Sequence, residues 1–207
     1  MKALTREIIT ENLDYHKDEE QQNVRILFVP TTINEQNIFE VSNVYAQVRG
    51  QQFESVVIVE SYNEVMDKKL AMSSHEYYKT DLGEIPVNDR LRNEFCDEED
   101  DFFIYDGGHN QQMSLYQQLP LLQCTLPNLS VVSLQIGDYD PAIVRELAFV
   151  VSELLSTRNM LLIICCDLPA NEKEELDHVR QMILENNESG LMHYLSSGDK
   201  QIKGARA

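Results

Sequence analysis

Histidine and cysteine are the side chains best suited to metal or nucleophilic chemistry, and their spacing here announces neither. The five histidines, His16, His75, His109, His178 and His193, stand singly, with no second one at ligand spacing. Cys96, Cys124, Cys165 and Cys166 form no CxxC or zinc pattern. Cys165 and Cys166 lie in an apolar run, where cysteine acts as a small hydrophobe, with a redox or soft-metal role as the sharper alternative. His109 follows Asp106-Gly107-Gly108 in a turn between a strand and a helix. It reads as a structural or exposed loop histidine, or, more sharply, as an acid/base. His16 is expected in solvent, and His178 and His193 on helix surfaces. Asp167 closes the most apolar stretch. A carboxylate there can ligate a metal, act as a base, or accept backbone N–H groups, and the sequence leaves all three open. GxGxxG, GxxxxGK[ST] and GxSxG are absent. The acidic run Cys96–Asp101 reads as a solvated loop, since it lacks the alternating ligands and turn glycine of a calcium loop.

Composition narrows the classes. Lys and Arg total 17 against 35 Asp and Glu, a net charge of −18. Such a chain is repelled by nucleic acid and anionic membrane, so neither is expected as a partner. At 207 residues and 43% hydrophobic, it is long and apolar enough to fold as one domain without a disulfide or metal staple. With no signal-like segment and no apolar stretch of membrane-spanning length, the expected compartment is a reduced cytoplasm.

The elements that must position any site follow from hydrophobic patterning. Residues 1–23 form a polar arm, read either as a docked helix or as a frayed end. Strands are expected at Val24–Val29, Ser55–Val59, Lys69–Ser73, Glu76–Lys79, Phe102–Tyr105, Leu129–Ile136 and Met160–Cys166. Helices are expected at Asn37–Val48 (ended by Gly50), Asn88–Phe95, Gln111–Cys124, Asp140–Leu155, Asn171–Asn186 and Gly190–Leu195. Asn88, Asp140 and Asn171 supply caps, and Pro120 should kink or end its helix. Apolar strands alternating with amphipathic helices predict an α/β fold of three layers, a mostly parallel sheet covered on both faces. Its site should lie beyond the carboxyl ends of the strands, near Pro30-Thr31, Glu60-Ser61-Tyr62, Gly137 and Asp167.

Several stretches, in order, resemble the Memo-like family (AmmeMemoRadiSam system protein B), whose fold is that of class III extradiol dioxygenases. RILFVP resembles a family strand ending Pro-His-Ala-Gly; Pro30 remains and Thr31 stands at the histidine. SVVIVESYN resembles one ending Gly-Pro-Ser-His, with Ser61 kept and Tyr62 at the histidine. TDLGEIPVND is similar to Thr-Pro-Leu-Gly-Glu-Val-Pro-Val-Asp, the most specific match. QMSLYQQLPLLQ resembles Glu-His-Ser-Leu-Glu-x-x-Leu-Pro, with Gln112, Met113 and Tyr116 at the two glutamates and the histidine between them. CCDLPAN resembles Ser-Ser-Asp-Leu-Ser-His, with Asp167 kept and Ala170 at the histidine; IKGARA weakly resembles a Cys-Gly segment.

The resemblance covers 24–207 as a single domain and implies a metal site that has been dismantled. Thr, Tyr, Met and Ala are poor substitutes for imidazole around iron or zinc. The expected function is a non-catalytic module that binds an unknown small ligand or protein, with no cofactor or metal and no catalytic residue. Its expected cleft is Pro30, Thr31, Glu60, Ser61, Tyr62, His109, Gln112, Met113, Tyr116 and Asp167. The alternative is an enzyme with a rebuilt acid/base or magnesium site at the same strand ends. The chain is short against the resembling family, which raises a homodimer through an incomplete sheet edge as a further expectation.

Overall fold

A computed structural model describes residues 4–16, 23–62, 66–98, 101–138, 140–167 and 173–196. Its elements in chain order are α1 (Arg6–Tyr15), β1 (Ile26–Val29), α2 (Ile38–Ala46), β2 (Ser55–Ser61), β3 (Leu70–Met72), β4 (Tyr77–Thr80) and β5 (Gly83–Pro86). There follow α3 (Asp89–Glu98), β6 (Phe102–Ile104), α4 (Ser114–Thr125), β7 (Val131–Ile136), α5 (Pro141–Thr157), β8 (Met160–Cys165), α6 (Lys173–Leu184) and α7 (Glu188–Ser196).

Six strands form one sheet in the order β1-β8-β2-β7-β3-β6, while β4 and β5 form a separate hairpin. β1, β8, β2 and β7 run parallel; β3 enters antiparallel to β7, and β6 runs parallel to β3. The two central strands read SVVIVES and VVSLQI and are buried on both faces, as a covered parallel sheet requires. On one face, Val56, Ile58, Val131, Leu161 and Ile163 pack under α1, α2, α4 and the hairpin. On the other, Val57, Val59, Leu134 and Leu162 pack under α3 and α5. The expected three-layer α/β architecture is therefore observed.

Local chemistry explains the element ends. Asn88 Oδ1 accepts the Leu91 N–H (3.0 Å) and Asp140 Oδ1 the Ala142 N–H (2.9 Å), each capping the helix that follows. After α2 the chain turns through Gly50 at φ +73°, a conformation costly for any side chain, and Gly50 N–H reaches the Thr125 carbonyl (2.9 Å). The Asn171 cap lies outside the described residues.

Two open readings are narrowed and two change. Pro120 does not end its helix: α4 runs to Thr125, with the proline tolerated inside it. The acidic run is not simply a loop: Cys96–Glu98 complete α3, and Asp101 pairs with Lys69 at 2.9 Å. The 1–23 segment carries a docked helix, because Ile9 and Leu13 of α1 are fully buried in the α2/α4 core. His16 is buried rather than solvated. Its ring sits against Tyr15 and Phe39, with Nε2 3.2 Å from the Phe39 carbonyl.

Candidate functional site

The parallel strands bring Thr31, Glu60, Tyr62 and Asp167 to one end of the sheet, because β1, β8 and β2 are neighbours. There, polar groups are bonded to one another. Asp167 accepts the Thr31 N–H on Oδ1 (2.8 Å) and the Thr31 hydroxyl on Oδ2 (2.7 Å). Of the three readings of Asp167, the acceptor role is the one its geometry displays. The donor belongs to the neighbouring β1 loop and not to the following helix. Glu60 is buried at 4% exposure, and its two oxygens accept the Ser114 (2.8 Å) and Leu115 (3.4 Å) N–H groups. Those are orphan donors of the first turn of α4, where a carboxylate also meets the positive end of the helix dipole. Met113 precedes this turn and is packed into the core. The Pro30 carbonyl accepts from Gln118 Nε2 (2.9 Å), whose Oε1 takes the Tyr45 hydroxyl (2.8 Å). Ser61 is half-buried at the end of β2, and Gln112 is exposed, its N–H bonded to Asn110 Oδ1 (2.8 Å).

A second group gathers on the other side of α4. β3 and β6 pair in parallel, so the loops after them emerge together, carrying His75 and His109. Their ring centroids are 4.9 Å apart. Arg92 of α3 pins the first loop by donating to the carbonyls of Ser73 (2.7 Å) and His75 (2.9 Å). Asp106 pins the second to it, accepting the Ser74 N–H (2.8 Å) and hydroxyl (2.5 Å), with His75 Nδ1 3.8 Å away. Gly108 is so closely packed that a Cβ would stand 2.6 Å from Met66 Sδ, 3.0 Å from Gln135 Oε1 and 3.2 Å from the Tyr62 ring. His109 then stacks on Tyr78 (5.6 Å) and points Nε2 at the Tyr116 hydroxyl (3.4 Å).

Electrostatics follow from burial. His109 is pulled down to about 4, first by desolvation and then by His75, so it is neutral at pH 7. Tyr78 is pushed up to about 12 by burial, and burial also raises Tyr116. For Asp106, burial opposes ionisation, but the two Ser74 donors outweigh it and hold the carboxyl below its usual range. Burial likewise raises the Cys165 and Cys166 thiols, which matches their core reading.

Beyond Tyr116 opens a cavity of about 520 Å³. Its walls come from the β4–β5 hairpin (Lys79, Asp81, Leu82), from α4 (Tyr116, Gln117, Pro120) and from Ile33 and Leu4. Tyr116 is the residue that the expected cleft and this cavity share. The sequence reading missed Lys79, Asp81 and Gln117, as well as the approach of His75 to His109. The one available signal was Thr80–Asp89, the stretch most specific to the resembling family, which here forms the hairpin flanking the cavity.

A metal does not fit the strand-end residues. Both Glu60 oxygens serve α4, both Asp167 oxygens serve Thr31, and Met113 is packed away. Among the described residues, no group of three or more His, Cys, Asp or Glu side chains could hold a metal ion. Nor is any helix among them long and apolar enough to cross a membrane.

Comparison with known proteins places the sequence in a family. A MEMO1 family protein of Thermotoga neapolitana is 29% identical over 160 residues. The match takes in 72% of this chain and 56% of that protein, so the chain spans little more than half of the relative's length. The family model described as Memo-like protein matches residues 2–205, nearly the whole sequence, and the chain therefore belongs to the Memo-like family.

Proposed function

We propose that this chain is a small-ligand-binding module on a Memo-like scaffold, without metal-dependent catalysis. The carrying observation is the contrast between strand ends whose carboxylates are bonded internally and an open cavity of about 520 Å³ beside Tyr116. A cavity of this size suits a small molecule. Asp81 and Lys79, the latter also paired with Glu84 at 3.5 Å, bring opposite charges to its lining, Gln117 an amide, and Ile33, Leu82 and Pro120 apolar wall. The matching ligand is a small amphipathic molecule bearing a carboxylate and an ammonium, such as an amino acid or dipeptide. Calorimetric titration with free amino acids and dipeptides is the test. Saturable binding that disappears in Leu82→Trp, which fills the cavity, supports the reading. Failure of all these titrants, together with one tightly held iron, copper or zinc per chain, overturns it.

A second reading is acid/base catalysis by His109 and Tyr116, favoured by their 3.4 Å approach. It is the weaker one. An imidazole whose pKa lies near 4 is a poor base at neutral pH, where a pKa matched to the working pH is most effective.

A further inference from the structure

The six-stranded sheet stops at β1, and among the described residues no strand pairs with its outer side. The carbonyls of Arg25 and Val29 accept the N–H groups of Leu162 and Cys166 from the β8 side. Backbone groups alternate along a strand, so those of Ile26 and Phe28 point the other way, out of the sheet. The side chains alternate as well. Leu27 and Val29 are buried under the α1/α2/α4 layer, while Ile26 (43% exposed) and Phe28 (53%) face the α5 side. There the apolar surface runs into a groove of about 290 Å³ between sheet and helix, whose walls include Ile26, Leu162, Ile164, Leu147, Val151 and Leu155. No lining residue of this groove carries a charge.

That neutrality matters in a chain of net charge −18. Two copies meeting over most of a surface so acidic would set like charges against one another. Over Ile26 to Val29 and the groove lining, which carry no charge, they would not. The edge is also self-complementary: a strand with outward groups at Ile26 and Phe28 meets the same spacing when turned by a two-fold axis. We propose that β1 pairs antiparallel with β1 of a second copy about an axis through Leu27. Ile26 of each copy then faces Phe28 of the other as a mutually hydrogen-bonded pair, joining two six-stranded sheets and running the two grooves into one apolar trough. Both exposed edges are removed at once, which is how an edge of this kind is kept from indiscriminate pairing. The proposal stands apart from the cavity beside Tyr116, which lies on the opposite layer.

Sedimentation velocity on the 207-residue chain, followed from low to tens of micromolar, tests it. The expected species at the upper end has twice the 23.9 kDa chain mass. The double variant Ile26→Lys/Phe28→Lys changes two already exposed side chains and should weaken the dimer roughly tenfold or more, because it sets like charges into the new ladder. A monomer throughout the range overturns the proposal, as does a dimer that survives the double variant. Amide exchange on the unmodified chain gives a readout independent of the variant. Protection of the Ile26 and Phe28 N–H groups should rise with protein concentration, and exchange indifferent to concentration counts against β1 pairing.

Discussion

The two sides of α4 differ in what their polar groups bond to. On the strand-end side, Glu60 serves the first turn of the helix, Asp167 serves Thr31, and Gln118 links Tyr45 to the Pro30 carbonyl. These are short, buried or half-buried contacts between fixed elements. On the hairpin side, His109 and Tyr116 meet at 3.4 Å, Asp106 and His75 are about half exposed, and the cavity opens beyond. The first region is a structural joint and the second is a surface with room for a guest. The same helix carries both, so a substitution's effect should depend on which side it touches.

The sharpest way to break this contrast is Glu60→Ala. It strands two buried N–H donors and removes a charge from the helix N-terminus, for an expected loss of about 3 kcal/mol in urea unfolding. A variant as stable as the parent would mean that Glu60 is free for other work. Asp167→Ala comes next, at about 2 kcal/mol, since Asp167 is half-buried and water entering its vacated place can partly satisfy the buried Thr31 N–H and hydroxyl.

On the hairpin side, the expected signature is pH dependence more than a large loss. His109 has a folded pKa near 4, below its ordinary 6.5, so protonation favours the unfolded chain. Its contribution is present above about pH 6.5 and is lost as pH falls toward 4. Thermal melts of the parent and of His109→Gln across that window should converge at the acid end, where the parent loses this term. Parallel curves would contradict a neutral, buried His109. The smallest effect is Tyr116→Phe, expected to cost about 0.5 kcal/mol at most because it removes one long hydrogen bond. If the cavity is the ligand site, that variant should weaken binding while leaving the melt almost unchanged.

Much of this architecture was legible in the sequence because buried parallel strands announce themselves. SVVIV, LSVVSLQI and MLLIICC are apolar runs of strand length, and Asn88 and Asp140 stand where caps must stand. The β5 strand was not legible. GEIP, with its glycine, charge and proline, has no strand pattern and is held extended by pairing with β4 and by the burial of Ile85. His16 was misread for a similar reason: its neighbours in sequence are polar, but Phe39 comes from another helix. The family resemblance led to Thr31, Tyr62 and Met113 near the strand ends, and geometry then set Thr31 against Asp167. It could not supply His75 beside His109, since that meeting depends on β3 reversing direction beside β7 and on Arg92 holding the loop.

Gln118 carries one more consequence, for how this chain can change over generations. Its amide is fully buried and speaks to two partners at once, Tyr45 on α2 and the Pro30 backbone after β1. Replacing it by leucine would leave a phenol and a carbonyl without partners in a low-dielectric interior. Phenylalanine at 45 alone would orphan half of the amide. Only a paired exchange avoids both intermediates' full penalty, so positions 45 and 118 should drift together among relatives that keep this joint, while the exposed hairpin residues vary singly.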